Sequence, residues 1–158
     1  MSWRDSFLEQ ARSDYEMFGR LNDGVTPFCH RLHFLRMATE KLAKGYICNE
    51  TSGPPPHTHF ALVRLLMTIK NRPEMREQLG YGRQYGAFSS YVDSLLPIAG
   101  RLEQLAPVGG HDDKLNPEYP WMCGGTVQCP AQYAYPEFPM TDLIKFNRFI
   151  DGVFRALI

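Results

Sequence analysis

The stretch CHRLHFLRMATEKLAKGYIC, Cys29 to Cys48, carries a helical period through its length. Together with Phe28 just before it, Leu32, Leu35, Leu42 and Tyr46 fall on one side of a helix. The opposite side carries His30, His33, Glu40, Lys41 and Lys44. Pro27, after Thr26, suits a first helical turn because its missing amide proton costs nothing there. The pattern predicts a helix from about Pro27 to Cys48, with the strongest one-sided character in the chain and a polar face turned to solvent.

The same periodicity extends outward in both directions. Towards the N-terminus, Phe7, Ala11, Tyr15 and Phe18 recur every three or four residues; Ser2 is the expected N-cap, and the NDG at Asn22 to Gly24 ends the segment. Towards the C-terminus, NETSGPPP stops the second helix and holds the chain extended. A third helix is then expected to start at Thr58 or His59, with Thr58 as its cap and Phe60, Val63, Leu66, Met67 and Ile69 as apolar positions. RPEMREQL adds a short helical turn from Pro73, and GYGRQYG separates it from a fourth helix. That helix carries the stripe Tyr91, Val92, Leu95, Leu96, Ala99, Leu102 and Leu105, with a kink expected at Pro97.

The segment from Ala106 to Met140 has no sustained period and is rich in proline, glycine and aromatic residues. Its length argues for function, and its aromatics argue for packing on the bundle, with a small hairpin around CGGT. A last helix follows, with Thr141 as N-cap and Leu143, Phe146, Phe149, Ile150, Val153, Phe154 and Leu157 along one face. The expected fold is all-α: an up-and-down bundle of about five helices in a single domain over residues 1–158, with a long irregular segment before the last helix.

Seventeen basic residues balance seventeen acidic ones, so overall charge does not direct the chain to nucleic acid or to an anionic membrane. The start is charged from its fourth residue, and no run approaches the roughly 20 apolar residues of a membrane span, so a cytoplasmic protein is expected. Cys29, Cys48, Cys123 and Cys129 are scattered and read as reduced thiols.

Among residues suited to chemistry, His30, His33 and Cys29 with His57 and His59 have the types of a zinc site but not the compact paired spacing. No metal or cofactor is called for. No nucleophile elbow is present, and adjacent Cys29 and His30 cannot face each other on a helix. GYGRQYG lacks the preceding strand and the terminal Lys-Ser/Thr of a phosphate loop. Five basic residues (Arg64, Lys70, Arg72, Arg76 and Arg83) against two acidic ones give a local positive excess, and the region from Glu103 to Asp142 is acidic. Such separation can steer an anion such as a nucleotide or RNA.

CHRLHFLRMATEKLAKGYIC followed by PPPHTHFALVRLL resembles the HEPN family, the higher eukaryotes and prokaryotes nucleotide-binding domain. The matching residues are Ala38, Glu40, Lys41 and Lys44, then the HTHF that is similar to the family's start of its third helix, and YAYPEF before the last helix. The resemblance implies a helical bundle and a homodimer. It also implies association with a minimal nucleotidyltransferase as protein partner, or a place in a toxin-antitoxin or defence system. Some members are metal-independent ribonucleases that carry arginine, four to six residues, then histidine. None of the five histidines here has an arginine four to seven positions upstream, so no catalytic residue is carried over. The long aromatic segment before the last helix departs from the short connection of the family.

The expected function is therefore a non-catalytic binding or regulatory module whose ligand residues are His33, Glu40, Lys41 and Lys44, with Arg64 and Tyr135 nearby. The alternative is a diverged ribonuclease or nucleotide-processing enzyme acting on RNA, with His33 or His59 as acid-base group and Arg36 or Arg64 as phosphate clamp.

Overall fold

The computed structural model describes residues 2–48, 60–105 and 115–157. Seven α-helices are arranged along these residues: α1 Trp3–Arg20, α2 Phe28–Cys48, α3 Ala61–Lys70, α4 Pro73–Gln78, α5 Tyr85–Asp93, α6 Leu96–Gln104 and α7 Met140–Leu157. A two-stranded hairpin, β1 Trp121–Cys123 and β2 Thr126–Gln128, stands before α7.

Helix α1 begins as its sequence dictates. Ser2 Oγ accepts the Asp5 amide at 3.1 Å, and Asp5 reaches back to the Ser2 amide, so two orphan donors are satisfied reciprocally. Beyond its end, Asp23 accepts from the amides of Val25 and Thr26 and from the Thr26 hydroxyl, a tight turn that aims the chain into α2. The two helices form the most extensive helix pair of the fold. Their close approach is set at Gly45, where an added Cβ would sit 2.7 Å from Leu8 Cδ2.

Burial on α2 runs well beyond one face. Leu32, Leu35, Leu42 and Tyr46 are buried as expected, but so are Arg36, Thr39 and Glu40. The expectation of a solvent-facing polar side at Glu40 is corrected: α2 is the central helix, covered by α1 on one side, by α3 and α6 on another, and by the segment before α7. Thr39 turns its hydroxyl to the carbonyls of Leu35 and Arg36, 3.0 Å each, which satisfies it inside the core.

Helix α3 begins at Ala61; Thr58 and His59, the expected cap and first residue, lie outside the described residues. The expected fourth helix is divided. Pro97 sits in the first turn of α6, and α5 ends at Asp93, so the chain breaks at Ser94 and Leu95 rather than kinking through. A proline without an amide proton starts a helix at lower cost than it bends one. Helix α7 begins at Met140, with the amides of Asp142 and Leu143 reaching the Pro139 carbonyl, so Thr141 lies inside the first turn and is not the cap.

The hairpin falls on the CGGT motif. Cys123 pairs with Thr126, and Gly124 and Gly125 both have positive φ, 56° and 77°, as the two-residue turn between twisted strands requires. Trp121 is buried by this hairpin, edge-on to Tyr133 at 4.9 Å and tilted to Tyr135 at 6.0 Å. The aromatic segment thus joins the core itself: Trp121 and Tyr135 are continuous with Leu35, Leu42, Leu66, Phe88, Phe146 and Phe149, and Tyr133 packs against them.

Candidate functional site

The polar heart of the molecule lies on α2. Arg36, one turn before Glu40, donates from Nη1 to Glu40 Oε2 at 3.2 Å, and Lys44, one turn after it, reaches Glu40 Oε1 at 2.6 Å. Arg36 Nη2 lies 2.6 Å from Glu118 Oε1. That second carboxylate comes from a turn 82 residues away in sequence. His33 Nδ1 approaches the same oxygen to 3.0 Å without hydrogen-bond geometry. His33, Arg36, Glu40 and Lys44 of α2 and Glu118 of the turn are therefore one connected chain of polar groups.

The turn that carries Glu118 is itself built with care. Asn116 Oδ1 accepts from the amides of Glu118 and Tyr119 at 2.9 and 3.1 Å, closing a turn with its own side chain. Tyr135 then donates its hydroxyl to the Asn116 carbonyl at 2.8 Å. Burial pushes the Tyr135 phenol well above its ordinary pKa, so it stays a donor.

Glu103 is the second buried carboxylate. It lies on α6 and accepts the Val63 amide at 2.9 Å, capping the start of α3 from across the fold. Burial pushes its carboxyl above the ordinary range; the amides of Val63 and Leu62 pull it down, and the charge of Glu40 adds to the upward push. Glu103 and Tyr135 line an open cavity of about 650 Å3 with Leu32, Leu105, Leu115 and Phe138. Arg101 lies over the Phe138 ring at 4.3 Å at its edge and donates to the Pro136 carbonyl.

Of the sequence-predicted site residues, His33, Glu40 and Lys44 come together in that polar chain, and Tyr135 supports it from the far side of the Asn116 turn. Lys41 does not join: its ammonium meets Asp14 of α1 at 2.5 Å, an interhelical tie with Gln10 on the other carboxylate oxygen. Arg64 is exposed on α3 and makes no ion pair among the described residues. His57, His59 and His111 lie outside the described residues.

Comparison with protein-family models, with curated proteins and with solved structures found no match.

Glu118, Glu103 and Asp14 escape sequence reading as partners, although two of them carry a signal. Asp14 falls between Ala11 and Phe18 on the buried stripe of α1, and Glu103 follows Ala99 by four on that of α6. A charge at an apolar position is a charge that needs a partner. Glu118 sits in an irregular segment, where no period marks an inward position.

The chemistry open to this arrangement is limited by its pairing. Arg36 spends both terminal nitrogens on carboxylates and is only 5% exposed, so it offers no free fork to a phosphate. His33, half-buried at the rim, is the one member with a ring edge near solvent. Among the described residues no group of three or more His, Cys, Asp or Glu side chains is placed to hold a metal ion. The four cysteines carry free thiols, and burial raises the pKa of Cys29 and Cys48, which favours the unreactive thiol. No helix among the described residues is long and apolar enough to cross a membrane.

Proposed function

We propose that the chain is a non-catalytic HEPN-like module of the cytoplasm that binds or regulates rather than cleaves. Its expected setting is a homodimer beside a protein partner such as a minimal nucleotidyltransferase, in a toxin-antitoxin or defence system. The observation that carries the non-catalytic part is the commitment of Arg36 to Glu40 and Glu118. A ribonuclease needs an arginine free to hold the phosphate beside an acid-base histidine. Here the arginine that shares the Glu118 carboxylate with His33 is closed off by two carboxylates, and the charged residues of the A-x-E-K-x-x-K core are already paired, Lys41 with Asp14 of α1 and Lys44 with Glu40 along α2.

Support for the family reading rests on the motif residues of α2 and on the helical order. A ligand would meet the module at the cavity between α2, α6 and the segment before α7, whose size suits a small molecule and whose lining is mostly apolar with Glu103, Arg101 and Tyr135 as polar points.

The alternative, a diverged ribonuclease, draws on the approach of His33 to Glu118, since a carboxylate beside one ring nitrogen can orient an acid-base imidazole. Mixing the purified protein with labelled RNA and nucleotides separates the readings. Binding without cleavage is expected of the module; RNA cleavage would overturn it. Neither binding nor cleavage leaves a module that works through protein contacts, which light-scattering mass with and without a co-expressed partner then tests.

A further inference from the structure

We propose that the cleft between α7 and the turn joining α4 to α5 is an anion site that takes a small ligand carrying two or more phosphate groups. This site is separate from α2 and does not rest on the reading above. Three cations, Lys145, Arg148 and Arg155, line the cleft with Gln78, Tyr81 and Tyr91, and no carboxylate is part of that lining among the described residues.

Lys145, Arg148, Gly152 and Arg155 follow one another at spacings of three, four and three, which puts them in one stripe along α7. At 1.5 Å per residue the stripe runs about 15 Å. All three cations are exposed, and none forms an ion pair among the described residues. Of the acids of α7, Asp151 sits by the Tyr15 hydroxyl on the α1 side, and Asp142 lies in the first turn, outside the lining of the cleft.

The wall of the cleft is held in place. Tyr91 donates its hydroxyl to the Lys145 carbonyl at 2.9 Å, and Tyr81 stacks on Tyr91 with centroids 5.3 Å apart. Leu79 fills the space over Gly152, where an added Cβ would collide with its Cδ2, and so fastens the turn onto α7. Burial pushes the Tyr91 phenol up to about 12, and the positive charge of Arg148 acts on it in the opposite sense, as expected of a guanidinium that faces the same space.

Cations gathered on one stripe without ion-pair partners among the described residues repel one another, and an anion relieves that repulsion. Arginine offers a planar fork that fits phosphate, and lysine adds a point charge. A single phosphate cannot bridge Arg148 and Arg155, which are about 10 Å apart along the axis. A chain of phosphates, or two separated phosphate groups, can. The volume of about 700 Å3 suits a ligand of nucleotide size, with the two tyrosines supplying apolar lining.

The test is titration calorimetry of the full chain with inorganic triphosphate and with ATP. Saturable one-to-one binding of either probe is expected, weakening with salt and falling roughly tenfold or more in the double variant Lys145→Gln, Arg148→Gln. Arg155→Gln is expected to weaken it as well, and Arg20→Gln, at an exposed position at the end of α1, to leave it unchanged. Preference for ATP over triphosphate locates recognition partly at the tyrosines; equal binding locates it in the phosphates, and both support the site. Absence of saturable binding of both probes, or unchanged affinity in the double variant with its helical circular dichroism intact, overturns the proposal.

Discussion

Arg36 Nη2 and Glu118 Oε1 lie 2.6 Å apart, tying the central helix to a turn in the irregular segment before α7. The bond does two things. It neutralises a buried guanidinium, and it fixes where the aromatic cluster of Trp121, Tyr133 and Tyr135 sits on the bundle. Removing one partner therefore exposes the other to an uncompensated burial. Arg36→Ala is expected to lower the unfolding free energy by about 3–5 kcal/mol, since Glu40 and Glu118 then lose their shared cation. Urea unfolding of Arg36→Ala, Glu118→Gln and the double variant forms a cycle; additive losses would show that the two groups do not act together.

Tyr135 acts on the same turn from its other end. Tyr135→Phe keeps the ring against Trp121 and removes only the hydroxyl donor to the Asn116 carbonyl. A loss of about 0.5–1.5 kcal/mol is expected. The near-ultraviolet circular dichroism of the aromatic cluster is expected to change, because the turn that buttresses it loosens. An unchanged spectrum with unchanged stability would mean that the hydroxyl holds nothing.

The charge on Glu103 predicts a pH dependence with a definite sign. Its folded pKa is raised above the ordinary value of 4.5, mainly by burial, so the folded state binds the proton more tightly than the unfolded chain. In the window from 4.5 up to the raised value, stability falls as pH rises. Glu103→Gln keeps an oxygen for the Val63 amide and removes the titration. The variant is expected to show a flatter stability curve through that window, whereas Glu103→Ala, which leaves the start of α3 uncapped, loses about 1–2 kcal/mol. Thermal melts between pH 4 and 8 check both.

How far the sequence goes can be judged from these residues. The helices were legible because Leu32, Leu35, Leu42 and the stripe of α7 repeat at the helical period, and the hairpin because two glycines in a row can take positive φ. Helix α2 reads as one-sided because its hydrophobic residues do mark one face; what hides Arg36 and Glu40 is the pairing of Arg36 with Glu118, 82 residues away in sequence, and of Glu40 with Arg36 and Lys44 along the helix. Periodicity reports which residues avoid water and says nothing of which charges find each other. The break at Ser94 and Leu95 was legible only as a proline within a stripe, since a kink and a new helix start share that signature.

Close packing of α1 on α2 depends on Gly45. Alanine there gains up to about 1 kcal/mol of helix propensity, yet its methyl must displace Leu8, whose Cγ and Cδ2 both lie within 3 Å of the added carbon. Gly45→Ala is expected to destabilise by about 1–3 kcal/mol despite the propensity gain. Leu8→Ala in the same chain opens the space, and the double variant is expected to lose less than the sum of the two single losses.

The ionic groups of α2 are committed to one another, which leaves a module without nuclease chemistry, and a cleavage assay tests this. End-labelled single-stranded RNA is incubated with excess protein in the presence of a chelator, with His33→Ala alongside. Intact RNA is expected for both proteins over the full time course. RNA cleaved by the unaltered chain and spared by His33→Ala would contradict it.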